Sequence, residues 1–497
     1  MTPQLHRRAA EALDEIVALR RQVVDHGRET YRRWRPEIER PRFAPSALNL
    51  AHYLALRRHD LRDLQRRLMA LGISSLGRLE SRVLASLDAA ATALSTLADT
   101  PIDAIRPPST RQFFAGEARL EANAVELFGP PTHHRSGRIM VTLATEAADD
   151  PSVIAAFVRH GADVIRINCA HDDPDRWAAM IRHVDAAGRD SGRRPPVLMD
   201  IAGPKVRTAY VLTPPDRSRV RAGDTVLLSR EVQPSEPDTP FQMTCTAPEI
   251  LERISIGDRV SIDDGKLQGA IYGEANGGFL VRIDGGRLGG AKLRSEKGLN
   301  FPTADLGLDP LTAKDRDDLD FVVTHADMVG YSFVQTAGHV AVLQDELAKR
   351  TADWHRLALV GKIETPRAVR NLPEIIVQAA GRQPFGVMIA RGDLAVEMGF
   401  ERVAEMQEEI MWLCEAAQVP AIWATQVLED LVKDGLPSRG EMTDAAMAAR
   451  AECVLLNKGP NVTAAVSVLD RLLARMADHQ VKKTPTLRAL HAWDDRS

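Results

Sequence analysis

Eight short apolar segments, spaced along the chain after residue 138, constrain its fold more than any other feature. Helical patterns such as Val153–Val158 and Met406–Ala417 lie between them. Nearly continuous apolar strands that alternate with helices are typical of a parallel sheet covered on both faces. Eight such units predict a closed (β/α)₈ barrel over residues 136–208 and 299–480. The segments are IMVTL (139–143), DVIRIN (163–168), PVLMDI (196–201), DMVGYSF (327–333), LALVGKI (357–363), FGVMIA (385–390), PAIWAT (420–425) and CVLLN (453–457).

The chain changes character between the third and fourth of these segments. Residues 209–298 alternate apolar and polar positions and are rich in turn residues, as in DRVSIDDGKLQGAIYG (258–273) and GFLVRIDGG (278–286). This pattern predicts an all-β insertion that folds as a small β-barrel. The insertion leaves the large barrel after its third strand, at the end where barrel enzymes carry out chemistry. We therefore interpret it as a mobile lid.

Residues 1–135 show helical patterns and predict an all-α extension. One stripe of leucines predicts a helix that ends at Gly72, and a second, from Leu76 to Leu94, predicts a helix capped by Ser74 or Ser75. Two helices joined by a short turn could form a DNA-binding helix-turn-helix or an αα-hairpin packed on the rest of the protein. Acidic residues interleave with the arginines, which favours the packed hairpin. The first stripe comprises Leu54, Leu61, Leu64, Leu68 and Leu71.

The composition argues against several functions and suggests a compartment. A chain of 497 residues with 44% hydrophobic residues can bury a large core, and its length predicts two to four domains. The formal net charge of −4 gives no general attraction to nucleic acid or acidic membranes. No apolar run approaches the ~18 residues of a membrane span, and the N-terminus does not resemble a signal peptide. The four cysteines lie far apart, which predicts reduced thiols and a cytoplasmic protein.

Polar residues stand where five of the predicted barrel strands end. Because the carboxyl ends of barrel strands meet at one rim, we expect these residues to lie together. Charges that converge from several strands are hard to explain as buried ion pairs alone, so this rim is the predicted functional site. The residues are Arg166 and Asn168 after the second strand, Asp200, Lys205 and Arg207 after the third, Lys362 and Glu364 after the fifth, Arg391, Gly392 and Asp393 after the sixth, and Thr425 after the seventh.

The types of these residues fit one kind of chemistry. Glu364 and Asp393 are hard oxygen ligands on adjacent strands and suit magnesium. Arg166 and Arg207 suit phosphate oxygens, and Lys362 is a compact cation that can stabilise charge on a transferring phosphoryl group. The segment ARGDLAVE is typical of a helix start, where the backbone amides of Gly392 and Asp393 can hold a carboxylate. Together they predict a small phosphorylated carboxylic acid, a metal, and a nucleotide under the lid.

Ordered motifs over residues 138 to about 470, two thirds of the chain, resemble the pyruvate kinase family. A lone RGD or DDG would be a weak signal, whereas the full set in the family's order is specific. The motifs are RIMVTLATEA, GADVIRINCAHD, MDIAGPKVRT, SIDDGKL, EKGLNFPTADLGLDPLTAKD, GKIET, VMIARGDLAVE and WATQVLEDL.

The resemblance implies roles for the groups around the reaction. Arg166 would hold the transferring phosphate, and Lys362 would stabilise the transition state. Gly392 and Asp393 would lie beside the bound substrate. Thr425 would contact the substrate and help to protonate the enolate through water. The implied reaction is phosphoenolpyruvate plus ADP giving pyruvate plus ATP.

The resemblance also implies sites for cations and for the nucleotide. Glu364 and Asp393 would bind Mg²⁺, or Mn²⁺ in its place. The groups that would contact the nucleotide are Asn168, Arg207 and Lys297. The groups that would form a monovalent-cation site are Asn168, Asp200 and the carbonyl of Ile201.

Some positions depart from the family pattern, and one departure carries a prediction. The family's potassium-ligating Ser is Ala170 here, and a common Glu is Lys205. We expect the Lys205 ammonium to substitute for the monovalent cation, so that K⁺ is not required. The remaining departures leave the substrate open, and they are Ala202, Gln335, Thr365 and the segment NKGP (457–460).

The predicted architecture also departs from the family. Only about 20 residues follow the barrel, and we treat residues 481–497 as a tail. We therefore expect the family's C-terminal regulatory domain to be missing, together with sugar-phosphate activation. The helical extension is expected to cover the barrel surface that this leaves bare, and assembly as a homo-oligomer is left open.

Two further functions stay open from the sequence. One is another magnesium-dependent barrel enzyme that forms or cleaves C–C bonds of phosphoenolpyruvate or pyruvate without a nucleotide. Retention of the lid with Arg207 and Lys297 argues against it, and nucleotide binding discriminates the two. The other is a non-catalytic sensor or scaffold, which would bind ligand without turnover.

Overall fold

The computed structural model describes residues 2–233 and 239–485, and a closed eight-stranded barrel lies at its centre. Neighbouring strands are parallel and follow one another around the barrel in chain order. The predicted (β/α)₈ barrel is therefore confirmed. Its strands are Arg138–Thr142, Val164–Asn168, Val197–Ile201, Met328–Tyr331, Ala358–Ile363, Phe385–Ala390, Ala421–Ala424 and Cys453–Leu456.

Helices cover the outside of the barrel between successive strands. Their apolar residues pack on the outward-facing side chains of the strands in one continuous core. Each of the last three strand–strand connections carries a pair of helices. The helices are Pro151–His160, Pro174–Ser191, Ala313–His325, Ala337–Arg350, Pro366–Arg370, Leu372–Ala380, Arg391–Met398, Phe400–Ala416, Glu429–Asp434, Arg439–Ala448 and Val462–Ala477.

The insertion after the third strand is an all-β unit with its own apolar core, which includes Phe241 and Val281. Its two edge strands meet at a backbone bridge between Arg207 and Gly298, so the curled sheet closes where it joins the large barrel, as a small β-barrel would. A short ribbon, Arg219–Val220 with Ala291–Lys292, adds to it. The sheet order is Leu299–Asn300, Arg259–Ile262, Leu267–Ala275, Gly278–Gly286, Thr225–Ser229, Phe241–Cys245 and Thr208–Leu212.

The N-terminal extension is helical, as predicted, but its helix boundaries differ from the expectation. The prediction of a single helix from Leu54 to Leu71 is wrong, because the helix is interrupted after Leu56 and a new helix begins at Arg62. The Asp60 carboxylate accepts the Arg62 N–H at 3.1 Å at this helix start. Gly72 does follow the end of that helix, with φ of +72°. The helices are Pro3–Trp34, Ala44–Leu56, Arg62–Ala70, Val83–Ala98, Thr110–Phe113 and Ala115–Phe128.

The predicted serine cap is also wrong. The helix expected from Leu76 begins at Val83, beyond the range of Ser74 and Ser75. The Asn49 side chain accepts the Val83 N–H at 3.0 Å, so another helix of the extension supplies the partner for this helix start. A cap from a residue distant in sequence leaves no local pattern to read.

The last helix of the extension, Ala115–Phe128, closes the amino-terminal end of the barrel. Leu127 and Phe128 are buried among the interior side chains at that end, such as Met140 and Leu198. Gly386 permits the close approach, since a Cβ there would lie 2.7 Å from Leu127 Cδ2. This helix of the extension therefore buries its apolar residues against the base of the barrel.

Hydrogen bonds fix the extension to the outer helices as well. Asn49 donates to the carbonyl of Ala416 at 2.8 Å, and the Arg40 N–H donates to the carbonyl of Gly381 at 2.7 Å. At the other end of the chain, Gln480–Val481 and Thr484–Pro485 form a hairpin whose Lys483 pairs with Glu80 of the extension. Residues 486–497 of the predicted tail lie outside the described residues.

Two further observations concern the chain as a whole. All four cysteines are free, buried thiols. Within residues 2–233 and 239–485, every helix is too short or too polar to cross a bilayer.

Shortening Phe128 should weaken the whole fold rather than the extension alone. Phe128→Ala removes a ring that is fully buried at the base of the barrel, which typically costs 3–5 kcal/mol, roughly, in the free energy of unfolding. Urea unfolding would measure this, with the partly exposed Val125→Ala on the same helix as the control. Equal effects of the two substitutions would contradict the role given to this helix.

Candidate active site

Asp200, at the end of the third strand, is the centre of the charged rim. Its buried carboxylate accepts a hydrogen bond from Arg166 Nε at 3.0 Å, and Lys362 Nζ lies 3.4 Å away. Burial alone would raise the pKa of Asp200, but the two cations outweigh it and lower the pKa. Gly330 leaves room for the carboxylate, since a Cβ there would lie 2.5 Å from Asp200 Oδ1.

Lys362 connects this carboxylate to a second one. Its ammonium lies 2.9 Å from Glu364 Oε1 and donates to Ser332 Oγ at 2.7 Å. Burial alone would lower the pKa of Lys362, but Asp200 and Glu364 raise it, so the lysine is a fixed positive charge at neutral pH. A compact, buried cation at this rim can stabilise negative charge more effectively than one in water.

Glu364 and Asp393 are the carboxylates that could bind a divalent metal ion. Glu364 accepts the Phe333 N–H at 2.6 Å, and burial raises its pKa, with Asp393 adding to the shift. A carboxylate that is buried beside another carboxylate suits a cation between them. In the described part of the chain no three acidic, His or Cys side chains are arranged to hold a metal ion by themselves, so water and substrate oxygens would complete the shell.

Lys205 pairs with one of the two predicted magnesium ligands. Its ammonium is 2.7 Å from Asp393 Oδ1, and its described ion pair does not involve Asp200. The groups expected at the monovalent-cation site have other partners. Asn168 Oδ1 accepts the Ala170 N–H at 3.1 Å, and the Ile201 carbonyl accepts from Ser332 Oγ at 2.7 Å.

Thr425 and Gly392 lie next to each other, as the rim prediction requires. The Gly392 N–H donates to Thr425 Oγ1 at 2.7 Å, so this amide, expected to face a carboxylate, has a hydroxyl partner here. Thr425 holds a left-handed backbone with φ of +63°, a conformation that is strained for a branched residue. Arg391 donates to the carbonyl of Thr425 at 2.7 Å and pairs with Asp444, so its charge is used within the protein.

The two predicted nucleotide-binding cations lie at the junction of lid and barrel. Arg207 donates to the carbonyl of Glu296 at 3.2 Å, and the backbone N–H of Lys297 donates to Thr208 Oγ1 at 3.0 Å. Neither side chain forms an ion pair with any described carboxylate. Both charges are therefore available to an anion between lid and barrel.

Sequence reasoning missed two residues of the site. Ser332 accepts a hydrogen bond from Lys362 and donates one to the carbonyl of Ile201 at the end of the third strand. The sequence predicted only that its segment forms a strand. Glu397 accepts a hydrogen bond from Asn300 at 2.7 Å, and burial raises its pKa to about 7. Glu397 lines a cavity of about 460 Å³ beside Lys205. The sequence did offer a signal for Glu397, because it lies in the motif ARGDLAVE four residues after Asp393.

Comparison with known proteins agrees with this geometry. The family model described as pyruvate kinase, barrel domain, matches residues 134–462. A pyruvate kinase of Agrobacterium vitis is 31% identical over 70% of this chain and 70% of its own, and one of Methylorubrum extorquens is 29% identical over 72% and 78%. The crystal structure of a pyruvate kinase from Cryptosporidium parvum shares the fold, with a TM-score of 0.61 and 23% identity over 71% of this chain and 72% of that one.

Fold and rim together define a (β/α)₈-barrel phosphotransferase. More specifically, the chain belongs to the pyruvate kinase family.

Replacing Lys362 tests its assigned role at the rim. Lys362→Met should lower kcat by about 10²–10³-fold with a smaller change in KM, because the lost charge acts mainly in the transition state. Steady-state kinetics would measure this, with the exposed Lys349→Met as the control. Unchanged kcat in a folded variant would contradict the role.

Glu397 should make the stability of the metal-free protein depend on pH. Its pKa is raised from 4.5 to about 7, so the folded state binds more protons than the unfolded state between those values, and stability falls as the pH rises through them. Glu397→Gln should remove this loss, which amounts to up to about 3 kcal/mol. Urea unfolding from pH 5 to 8 would measure it, with the exposed Glu401→Gln as the control. Parallel curves for Glu397→Gln and wild type would contradict the account.

Proposed function

We propose that this protein transfers the phosphoryl group of phosphoenolpyruvate to ADP and forms pyruvate and ATP. The arrangement of Arg166 and Lys362 on the single buried carboxylate of Asp200 carries the proposal. In the reaction, the bond between phosphorus and the enol oxygen breaks, and a bond forms to a β-phosphate oxygen of ADP. The resulting enolate gains a proton at carbon and becomes pyruvate.

The two cations would divide the work on the transferring group. Arg166 also donates to Thr142 Oγ1 at 3.1 Å, so its guanidinium is held in place from both sides and can position phosphate oxygens. Lys362 would stabilise the charge that develops during transfer, because it is fixed before the reaction begins. Asp200 orients both groups without touching the substrate.

Glu364 and Asp393 would hold Mg²⁺, and Mn²⁺ could take its place. When bound, the metal would neutralise charge on the oxygens of the phosphoryl group. Glu364 is fixed by the Phe333 N–H and by Lys362, whereas Asp393 is partly exposed and pairs with Lys205. An entering metal ion would therefore compete with the Lys205 ammonium for the Asp393 carboxylate.

Thr425 and Gly392 would serve the substrate itself. The Thr425 hydroxyl lies at the mouth beside Gly392, where it can pass a proton to the enolate through water. Arg207, Lys297 and Asn168 would contact the nucleotide under the lid. The free, buried thiols support a cytoplasmic setting for this reaction.

We further propose that the reaction does not require K⁺. The carbonyl of Ile201 and Asn168 Oδ1 each accept a hydrogen bond within the protein, and Lys205 supplies a positive charge at the rim. Pyruvate formation should therefore proceed at similar rates with Mg²⁺ in buffers with and without K⁺. Loss of most of the rate without K⁺ would contradict this proposal, and no turnover in either buffer would contradict the assigned reaction.

Lys205 itself can be tested in the same assay. Lys205→Met should lose at least tenfold in rate without K⁺ and should recover part of it when K⁺ is added, because a mobile cation replaces the missing charge. The exposed Lys292→Met on the lid serves as the control. A variant that is indifferent to K⁺ and as active as wild type would show that Lys205 has no such role.

A further inference from the structure

A second cavity lies at the end of the barrel opposite the candidate active site. Its volume is about 820 Å³, enough for a small organic molecule. Its walls come from the helical extension, the barrel base around Arg138 and Glu452, the outer helix that carries Glu415, and the hairpin at Gln480–Thr484. The residues of the candidate active site do not line it.

Part of the cavity wall is apolar and built from small side chains. Ala89, Ala90 and Ala93 line it from the helix Val83–Ala98. Leu76 and Leu120 also line it, whereas the rings of Phe113 and Phe114 are covered by the Arg82 guanidinium. The small residues leave room for an aliphatic or aromatic body of modest size.

The cations of the wall already have partners. Apart from the exposed Arg78, each described Lys or Arg of the lining forms an ion pair with a carboxylate, which balances its charge, although Arg82 Nε and Arg450 Nε are buried without a hydrogen-bond partner. The pairs are Lys482 with Glu452, Lys483 with Glu80, Arg82 with Glu117, Arg138 with Glu121, and Arg450 with Glu408.

Glu415 is the exception among the charges of the wall. Its carboxylate accepts no hydrogen bond and forms no ion pair within the described residues, although the residue is half-buried and lines the cavity. Burial raises its pKa to about 7; Lys482 and Lys483 act against the shift, and Glu80 and Glu452 add to it. The second oxygen of Glu80, Oε2, is also buried without a hydrogen-bond partner. Two carboxylate groups thus have acceptor oxygens to spare.

We propose that this cavity binds a small primary amine with an apolar body, whose ammonium group donates hydrogen bonds to Glu415 and to Glu80 Oε2. The ammonium group supplies the missing counter-charge, and the body contacts the alanines of the helix Val83–Ala98. Because such a ligand would touch the extension, the barrel base and the C-terminal hairpin together, its binding should stabilise the folded protein.

Calorimetric titration of the full chain with three matched probes tests this inference. The probes are 2-phenylethylammonium, the neutral 2-phenylethanol and the anionic phenylacetate. The ammonium should bind saturably, at least tenfold more tightly than either of the others, and should raise the melting temperature with concentration. No saturable binding of the ammonium, or equal binding of the alcohol, would overturn the proposal.

Two variants connect the binding to this cavity. Glu415→Gln should weaken ammonium binding at least tenfold. Ala93→Trp should block binding, because the larger side chain would fill the part of the cavity lined by the helix Val83–Ala98. Glu405→Gln changes an exposed carboxylate of the same helix and should bind like wild type. Wild-type affinity in both Glu415→Gln and Ala93→Trp would place the binding elsewhere and overturn the proposal.

Discussion

A single buried carboxylate organises the candidate active site. Asp200 holds Arg166 and Lys362 at the same rim, and through Lys362 it is linked to Glu364. Each of these charges would be costly to bury alone, because desolvation penalises an unpaired ion by several kcal/mol, roughly. Together they form a network whose cations still face the mouth. A charge arrangement that is fixed before substrate arrives suits phosphoryl transfer, where positioning and electrostatics do most of the work.

The apolar interior at the other end of the barrel is covered by the helical extension. Phe128 and Leu127 fill the amino-terminal end from the extension, and Asn49 ties the extension to the outer helices. Stability stored at the base can offset the cost of the left-handed Thr425 and of the buried charges at the rim. The extension is thus part of the structural support for the site, although it lies far from it.

The barrel was predictable from the sequence because each strand is a short apolar run. The candidate rim residues could be named because they come at or just after the ends of these runs. DMVGYSF shows the limit of such reasoning: its strand ends at Tyr331, and Ser332 and Phe333 form the turn that contacts Lys362 and Glu364. The sequence identified Lys205 as a departure from the family pattern. Its ion-pair partner, Asp393, could not be predicted, since pairing across strands depends on side-chain geometry. The same holds for Asn49, which meets Val83 only in three dimensions.

Phosphorus NMR of the enzyme with phosphoenolpyruvate, ADP and Mg²⁺ tests the central claim most directly. As the phosphoenolpyruvate signal falls, the signal of the γ-phosphate of ATP should rise by an equal amount, and Lys362→Met should slow both changes together. A phosphoenolpyruvate signal that stays constant, or that is replaced by inorganic phosphate without ATP, would contradict the account.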